Sequence, residues 1–301
     1  MNAPLPAHAL RPATAARITN ALTIDVEDYF QVSAFAPHIA RAEWESRECR
    51  VEGNVHTILD MLDAHATQAT FFTLGWIAER YPALVREIVA RGHELASHGH
   101  GHQRASDLTP AEFNDDVVRA KRILEDLCGT EVLGYRAPSF SIGTGNLWAF
   151  DVLAKAGYRY SSSVYPIRHD HYGMPDAPRF AHRVSADLIE IPITTLRVLN
   201  RNLPSSGGGY FRLYPYALSR WMLRQVNRED GQAAIFYFHP WEIDVDQPRI
   251  PGIGAKTRFR HYVNIARMRS RLEQLLDDFA WDRMDRIFLG RSLEAVPARA
   301  G

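Results

Sequence analysis

Short apolar runs alternate with helix-period segments about seven times along this chain, and reactive side chains recur where the runs end. That pattern limits the fold more than any other feature. Residues 21–25 (ALTID) form an apolar run ending in an acid. Residues 54–65 (NVHTILDMLDAH) space their apolar positions as a helix does, with Asn54 as the expected N-cap. Residues 69–75 (ATFFTLG) are β-branched and aromatic, a strand. Residues 82–92 begin with proline and end with glycine, as helices do, and HELASHG at 93–99 follows as a short strand. The segment 109–129 is the clearest helix: Thr109 caps it, Pro110 starts it, Glu112 completes a capping box and Gly129 stops it. Further strands are expected at 131–138, 188–193, 233–240 and 286–290, and helices at 146–158, 215–230 and about 263–280. Such alternation predicts a mostly parallel sheet, open or closed. Asp25, Glu27, Asp28, His98, His102, Arg136 and His239 each fall at or just after an expected strand end. In a β/α barrel those ends converge on one face, so the barrel is the expected form.

Composition removes several functions. Lys+Arg and Asp+Glu each number 35, so no basic excess points to nucleic acid or an anionic membrane. There is no run of eighteen apolar residues, hence no expected membrane-spanning helix. Two cysteines, Cys49 and Cys128, cannot build a disulfide framework or a cysteine-based zinc site. The first twenty residues are rich in Ala and Pro and lack the unbroken apolar segment of a signal peptide. A cytoplasmic chain is expected, and work on a nascent glycan at the inner membrane face would fit.

Four clusters carry chemistry. In SHGHGH at 97–102, His98 and His102 are four apart, a spacing that lets two imidazoles share one metal. Gly99 and Gly101 argue for a loop there rather than a helix. In TIDVEDY at 23–29, Asp25, Glu27 and Asp28 would repel one another without a cation, an arginine or protons between them. Two histidines with one carboxylate form a frequent catalytic metal set with open positions, and a further carboxylate beside it is free to act as base. In GYRAPS at 134–139, Pro138 shapes the loop that carries Arg136, whose guanidinium can clamp a carboxylate. In IFYFHPWE at 235–242, His239 stands at a strand end where a general acid would be placed. Each cluster alone has an ordinary structural reading as a solvated acid, a surface arginine or a packed histidine.

Taken in order, Asp25, His98 and His102, Arg136-Ala137-Pro138 and Phe238-His239 resemble the NodB-homology polysaccharide deacetylases, carbohydrate esterase family 4. DVEDYFQV at 25–32, GYRAPSFS at 134–141, SGGGYFRLYPY at 206–216 and FYFHPWE at 236–242 are similar to the subfamily found with PEP-CTERM/exosortase exopolysaccharide loci. The resemblance covers 21–290. It implies a single α/β domain, a distorted (β/α)7–8 barrel, between tails at 1–20 and 291–301. It implies hydrolysis of N-acetyl groups from amino-sugar residues of an N-acetylated polysaccharide, with a divalent metal, zinc first and Co2+, Ni2+ or Fe2+ as alternatives. By the same resemblance Asp25 is the base, Arg136 orients it, His239 is the general acid, and His98 and His102 are metal ligands. The third ligand stays open between Glu27 and Asp28, because T-I-D-V-E-D stands where the family has T-F-D-D. Asp28, which keeps the family's residue type, is slightly preferred. The family's carboxylate partner for the acid histidine is missing, since that region reads YSSS at 160–163.

Aromatic faces pack on sugar rings, and Tyr29, Phe30, Phe140, Trp148, Tyr210, Phe211 and Trp241 lie in or near the motif loops. Phe140, Tyr210 and Trp241 are the expected substrate contacts, with Ser139, whose backbone N–H is a candidate oxyanion donor. The loop from Gly207 to Gly209 with Arg212 reads equally as a substrate-side loop or an inert one. Two other functions remain: an amide hydrolase on a small or cyclic amide, which would need a closed pocket, and a non-catalytic carbohydrate-binding protein.

Overall fold

The computed structural model describes residues 18–169 and 173–290. Most of each expected tail, 1–17 and 291–301, lies outside the described residues. Strand β1 (Thr19–Val26) is buried along both faces, as are β2 (Thr70–Thr73) and β3 (Glu94–Ser97). Burial along both faces is what parallel strands covered on both sides show. The sheet continues through β4 (Gly134–Tyr135), β5 (Tyr160–Ser161), β6 (His182–Arg183) and β7 (Ile189–Glu190), and ends on its other side with β10 (Ile235–Phe238). The order is β10-β1-β2-β3-β4-β5-β7-β6, parallel throughout except for β6 against β7. The strands β8 (Thr195–Val198) and β9 (Arg201–Pro204) form a separate antiparallel hairpin that the periodicity does not foretell. Strand β11 (Ala280–Asp282) pairs with the start of β1.

The sheet curls. Inside it lie Phe72, Ala96, Tyr160, Ile191, Ile235 and Tyr237. Outside, the opposite faces of the same strands pack on helices α1 (Val51–Ala64), α3 (Pro82–Ala90), α7 (Tyr216–Glu229) and α9 (Met268–Asp278). The curl is an incomplete barrel. Across the seam the Ile235 N–H donates to the Thr194 hydroxyl at 2.6 Å, a side-chain link where a closed barrel would have a ladder. Helix α10 (Met284–Phe288) fills one end with Met284, Ile287 and Phe288. Its Met284 N–H donates to Thr70 and its Asp285 N–H to Glu94, the first residues of β2 and β3. That end is therefore closed, and the strands deliver their last residues to the other.

Two expectations change and one holds. Residues 286–290 were expected as a strand, but the run is too short to specify its own state and docks as α10. Helix α4 (Pro110–Cys128) has the expected cap, box and left-handed Gly129. Helix α1 instead starts three residues before Asn54, which donates to Asp244 and caps nothing.

Candidate metal and acid-base site

The turn after β3 is built by contacts rather than by helix formation. Gly99 has φ +77°, in the left-handed region that favours glycine. Asp116 of α4 accepts the N–H groups of His100 and Gly101 at 3.0 and 3.4 Å, and a Cβ on Gly101 would collide with the Arg41 guanidinium. This turn brings the His98 and His102 rings to 5.2 Å. His98 donates from Nδ1 to the Arg136 carbonyl at 2.9 Å, because a carbonyl can only accept. The Nε2 lone pair is thereby left for another partner.

Glu27, His98 and His102 each offer a ligand atom within 4.8 Å of the others. Glu27 Oε2 is 2.6 Å from His102 Nε2, yet the approach lacks hydrogen-bond geometry and that oxygen is buried without a donor. A buried carboxylate oxygen facing an imidazole nitrogen in this way fits a shared cation better than a proton. The donor set of two imidazoles and one carboxylate suits zinc and its neighbours. Burial pushes the His98 imidazole down to about 4, which keeps it neutral and able to ligate. Burial also pushes Glu27 up, but the neighbouring His102 and His239 outweigh it and hold the carboxyl below its usual range.

Asp28, the preferred third ligand, is elsewhere. Its Oδ1 accepts the Tyr29 N–H, and its Oδ2 accepts those of Arg50 and Val51 at 2.6 and 2.9 Å. These are orphan donors at the start of α1, so Asp28 caps that helix from 22 residues away and its two oxygens are taken. Alternation along an extended strand end explains the split, since neighbouring side chains point to opposite sides.

Asp25 sits beside the cluster. Arg136 is fully buried, and its Nη1 donates to Asp25 Oδ1 at 2.6 Å and to Thr23 at 2.8 Å. Ser162 accepts from Nε and Nη2 through its carbonyl and hydroxyl oxygens, and the Phe72 ring lies 4.0 Å from the guanidinium carbon. The YSSS segment therefore supplies neutral oxygens to the arginine. Asp25 Oδ2 is left facing His239 Nε2 at 3.9 Å, and Glu27 Oε1 is 3.7 Å from the same nitrogen.

The partner of His239 is Glu242, which the motif reading missed. His239 Nδ1 is 2.8 Å from Glu242 Oε1, and Arg212 Nε donates to Glu242 Oε2 at 2.7 Å. Arg212 is buried and also donates to the carbonyls of His261 and Val263. The glycine loop makes room for this pair. A Cβ on Gly208 would lie 2.1 Å from the Glu242 carboxylate, and one on Gly207 would strike the Tyr237 ring. The i, i+3 spacing in HPWE was the available signal.

The expected substrate contacts divide. Ser139 is half-buried, has φ +55° and donates its hydroxyl to Ser33 at 2.7 Å. Phe140 follows with φ +50° but is buried against Tyr165 and Tyr237, so it supports the site from beneath and offers no sugar-facing surface. Two consecutive left-handed residues without glycine are costly and rare. Trp241 is 6% exposed and stacks with the imidazoles of both His239 and His261, so it too has no free face. Tyr210, on the short helix α6 (Gly208–Leu213), stays half-buried beside Tyr214. Tyr29, Phe30 and Phe211 are core, and Trp148 packs on Phe113. Surface hollows of about 340 and 380 Å³ contain none of these residues.

Residues 47–161 match the family model described as polysaccharide deacetylase, and residues 162–289 match one described as a domain of unknown function, DUF3473. A chitooligosaccharide deacetylase of Bradyrhizobium sp. (strain ANU 289) is 37% identical over 103 residues, 33% of this chain and 45% of that one. A peptidoglycan-N-acetylglucosamine deacetylase of Bacillus cereus is 33% identical over 93 residues, 31% of this chain and 34% of that one. The chain thus spans less than half the length of these curated relatives. A crystal structure of a candidate polysaccharide deacetylase from Mycobacterium smegmatis superposes with TM-score 0.60 at 20% identity, covering 99% of each chain. An allantoinase structure superposes with TM-score 0.59 at 17% identity, covering 90% of this chain and 89% of that one. These two likenesses show a shared fold. Over residues 47–161 the chain is similar to the polysaccharide deacetylase family.

Proposed function

We propose that this chain hydrolyses N-acetyl groups from amino-sugar residues of a polysaccharide, releasing acetate, with a divalent metal at Glu27, His98 and His102. One observation carries the reading: the buried Glu27 oxygen without a donor lies among two imidazoles, with Asp25 and His239 within 4 Å of each other beside it. The relatives named as chitooligosaccharide and peptidoglycan deacetylases support the acetyl reaction. Zinc is the proposed ion and an exopolysaccharide the proposed polymer, as the motif likeness to the exosortase-locus subfamily suggests.

When bound, a divalent ion in such a set polarises a carbonyl and lowers the pKa of water. The chain's own residues do the rest. Arg136 holds Asp25 oriented through Oδ1, leaving Oδ2 to take the proton of the attacking water. The oxygen adds to the acetyl carbon, and the carbon–nitrogen bond then breaks. His239 Nε2 gives a proton to the departing amine, while Glu242 holds the ring through Nδ1. Ser139 lies in a strained loop tied to Ser33, where its N–H is proposed to meet the developing oxyanion.

The test is acetate release from N-acetylglucosamine oligomers by metal-stripped and zinc-reloaded protein, with Asp25→Asn alongside. Zinc-dependent acetate that disappears in Asp25→Asn is expected. Absence of acetate, together with turnover of small cyclic amides, would replace this reading with the second one. Oligomer binding without any turnover would leave a carbohydrate-binding protein.

A further inference from the structure

Region 162–289 matches a family of unknown function, yet one of its side chains donates a hydrogen bond into the metal cluster. Trp241 follows β10 in the turn His239-Pro240-Trp241-Glu242. A tryptophan has a single polar atom, a donor, which must find an acceptor when buried. Trp241 donates its indole N–H to Glu27 Oε1 at 3.1 Å, across 214 residues of sequence. That contact divides the labour of the carboxylate. Oε1 is held by the indole, and Oε2 is the oxygen that faces His102 without a hydrogen-bond donor.

The donor itself cannot swivel. The indole stacks on His239 at 5.1 Å and 18° and on His261 at 4.2 Å and 14°. His261 Nε2 is bonded to Gln247 Oε1 at 2.6 Å, and Gln247 Nε2 donates back to the Trp241 carbonyl at 2.7 Å. Arg212 donates to the His261 carbonyl. A glutamate has three side-chain torsions, and freezing them opposes ligation. A fixed donor on one oxygen sets the plane of the carboxylate before any cation arrives.

We propose that Trp241 is a positioning residue of the metal site: its indole N–H, clamped in the stack, preorganises Glu27 Oε2 toward His98 and His102 and so raises the affinity for a divalent cation. This rests on the metal reading above but not on the acetyl reaction.

The experiment is zinc affinity of the full chain, measured by competition with a chromophoric chelator and without substrate. Trp241→Phe keeps a flat ring in the stack and deletes the donor. Affinity is expected to fall about 10- to 100-fold, the usual cost of losing a group that orients a ligand. His261→Phe loosens the same stack but keeps the indole N–H, and a clearly smaller fall than in Trp241→Phe is expected. Should Trp241→Phe fail to fold, replacing the indole with benzothiophene substitutes sulfur for N–H at nearly unchanged size, and the same fall is expected. Unchanged affinity in the donor-free proteins overturns the proposal. So does an equal fall in His261→Phe, which would assign the effect to packing, and so does wild-type protein that binds no zinc. Acetate release with unchanged affinity in Trp241→Phe would sink this inference alone. The affinity difference without acetate release would sink the deacetylase reading alone.

Discussion

His239 is pulled in two directions. Burial pushes its imidazolium down, but the carboxylates of Glu27, Glu242 and Asp25 overcome burial and hold it up at about 9. A general acid must be protonated when the amine leaves, so activity requires pH below its pKa. Glu242→Gln is expected to lower kcat and to move the alkaline limb of the pH–kcat profile downward; an unmoved limb would exclude Glu242 as the partner. His239→Ala should cost about 10²–10⁴-fold in kcat. Glu190 tests burial without catalysis. Burial pushes its carboxyl up to about 7, while it accepts the Ser163 and Val164 N–H groups. Its folded pKa lies above the usual 4.5, so the folded state binds the proton more tightly, and stability is lost as pH rises from about 4.5 to 7. Glu190→Gln keeps the acceptor without the charge. Its stability relative to wild type should therefore improve between pH 5 and pH 8 in chemical denaturation, and an equal difference at both would refute the assignment. At this scale the residue types and their strand-end positions were readable for Asp25, His98, His102, Arg136 and His239. Glu242 was not, because its role depends on Arg212, 30 residues away, and on the space that Gly208 leaves.

Two elements turn local chemistry into placement. Helix α1 begins where Asp28 meets the Arg50 and Val51 N–H groups. Asp28→Asn should cost on the order of 1 kcal/mol in urea unfolding, the usual worth of a cap, and leave zinc affinity intact. Glu27→Gln should do the reverse, and loss of zinc from Asp28→Asn would restore Asp28 as the ligand. Helix α6 begins with glycines packed on Tyr237 and Glu242. Gly208→Ala should displace the Glu242 carboxylate and cut kcat, with an overpacking cost of about 1–3 kcal/mol, read from activity and thermal melting together. Elements were legible when their signals were local, as with α4, whose box, proline and glycine all lie within it or next to it. The start of α1 was illegible because its cap comes from the end of β1. Residues 286–290 were misread because five mostly apolar residues carry no period of their own, and docking against Thr70 and Glu94 decided their state.

The whole molecule does not divide where the family models do. Asp25 and Glu27 precede residue 47, while Arg212, His239, Trp241 and Glu242 follow residue 161. Strand β1 pairs with β2 on one side and β10 on the other, so 47–161 alone lacks the centre of its own sheet. That fragment is expected to show no cooperative unfolding transition by circular dichroism, whereas 18–290 should show one. The alternation of runs announced a parallel sheet because parallel strands need crossovers. It could not announce the seam, where one threonine hydroxyl replaces a ladder. The central place of β1 also has a consequence in time. Thr23 bonds to Phe236, 213 residues later. At about 5–20 residues per second of synthesis, strand β1 waits roughly 10–40 s for its neighbour β10, with an apolar edge open to any other nascent chain.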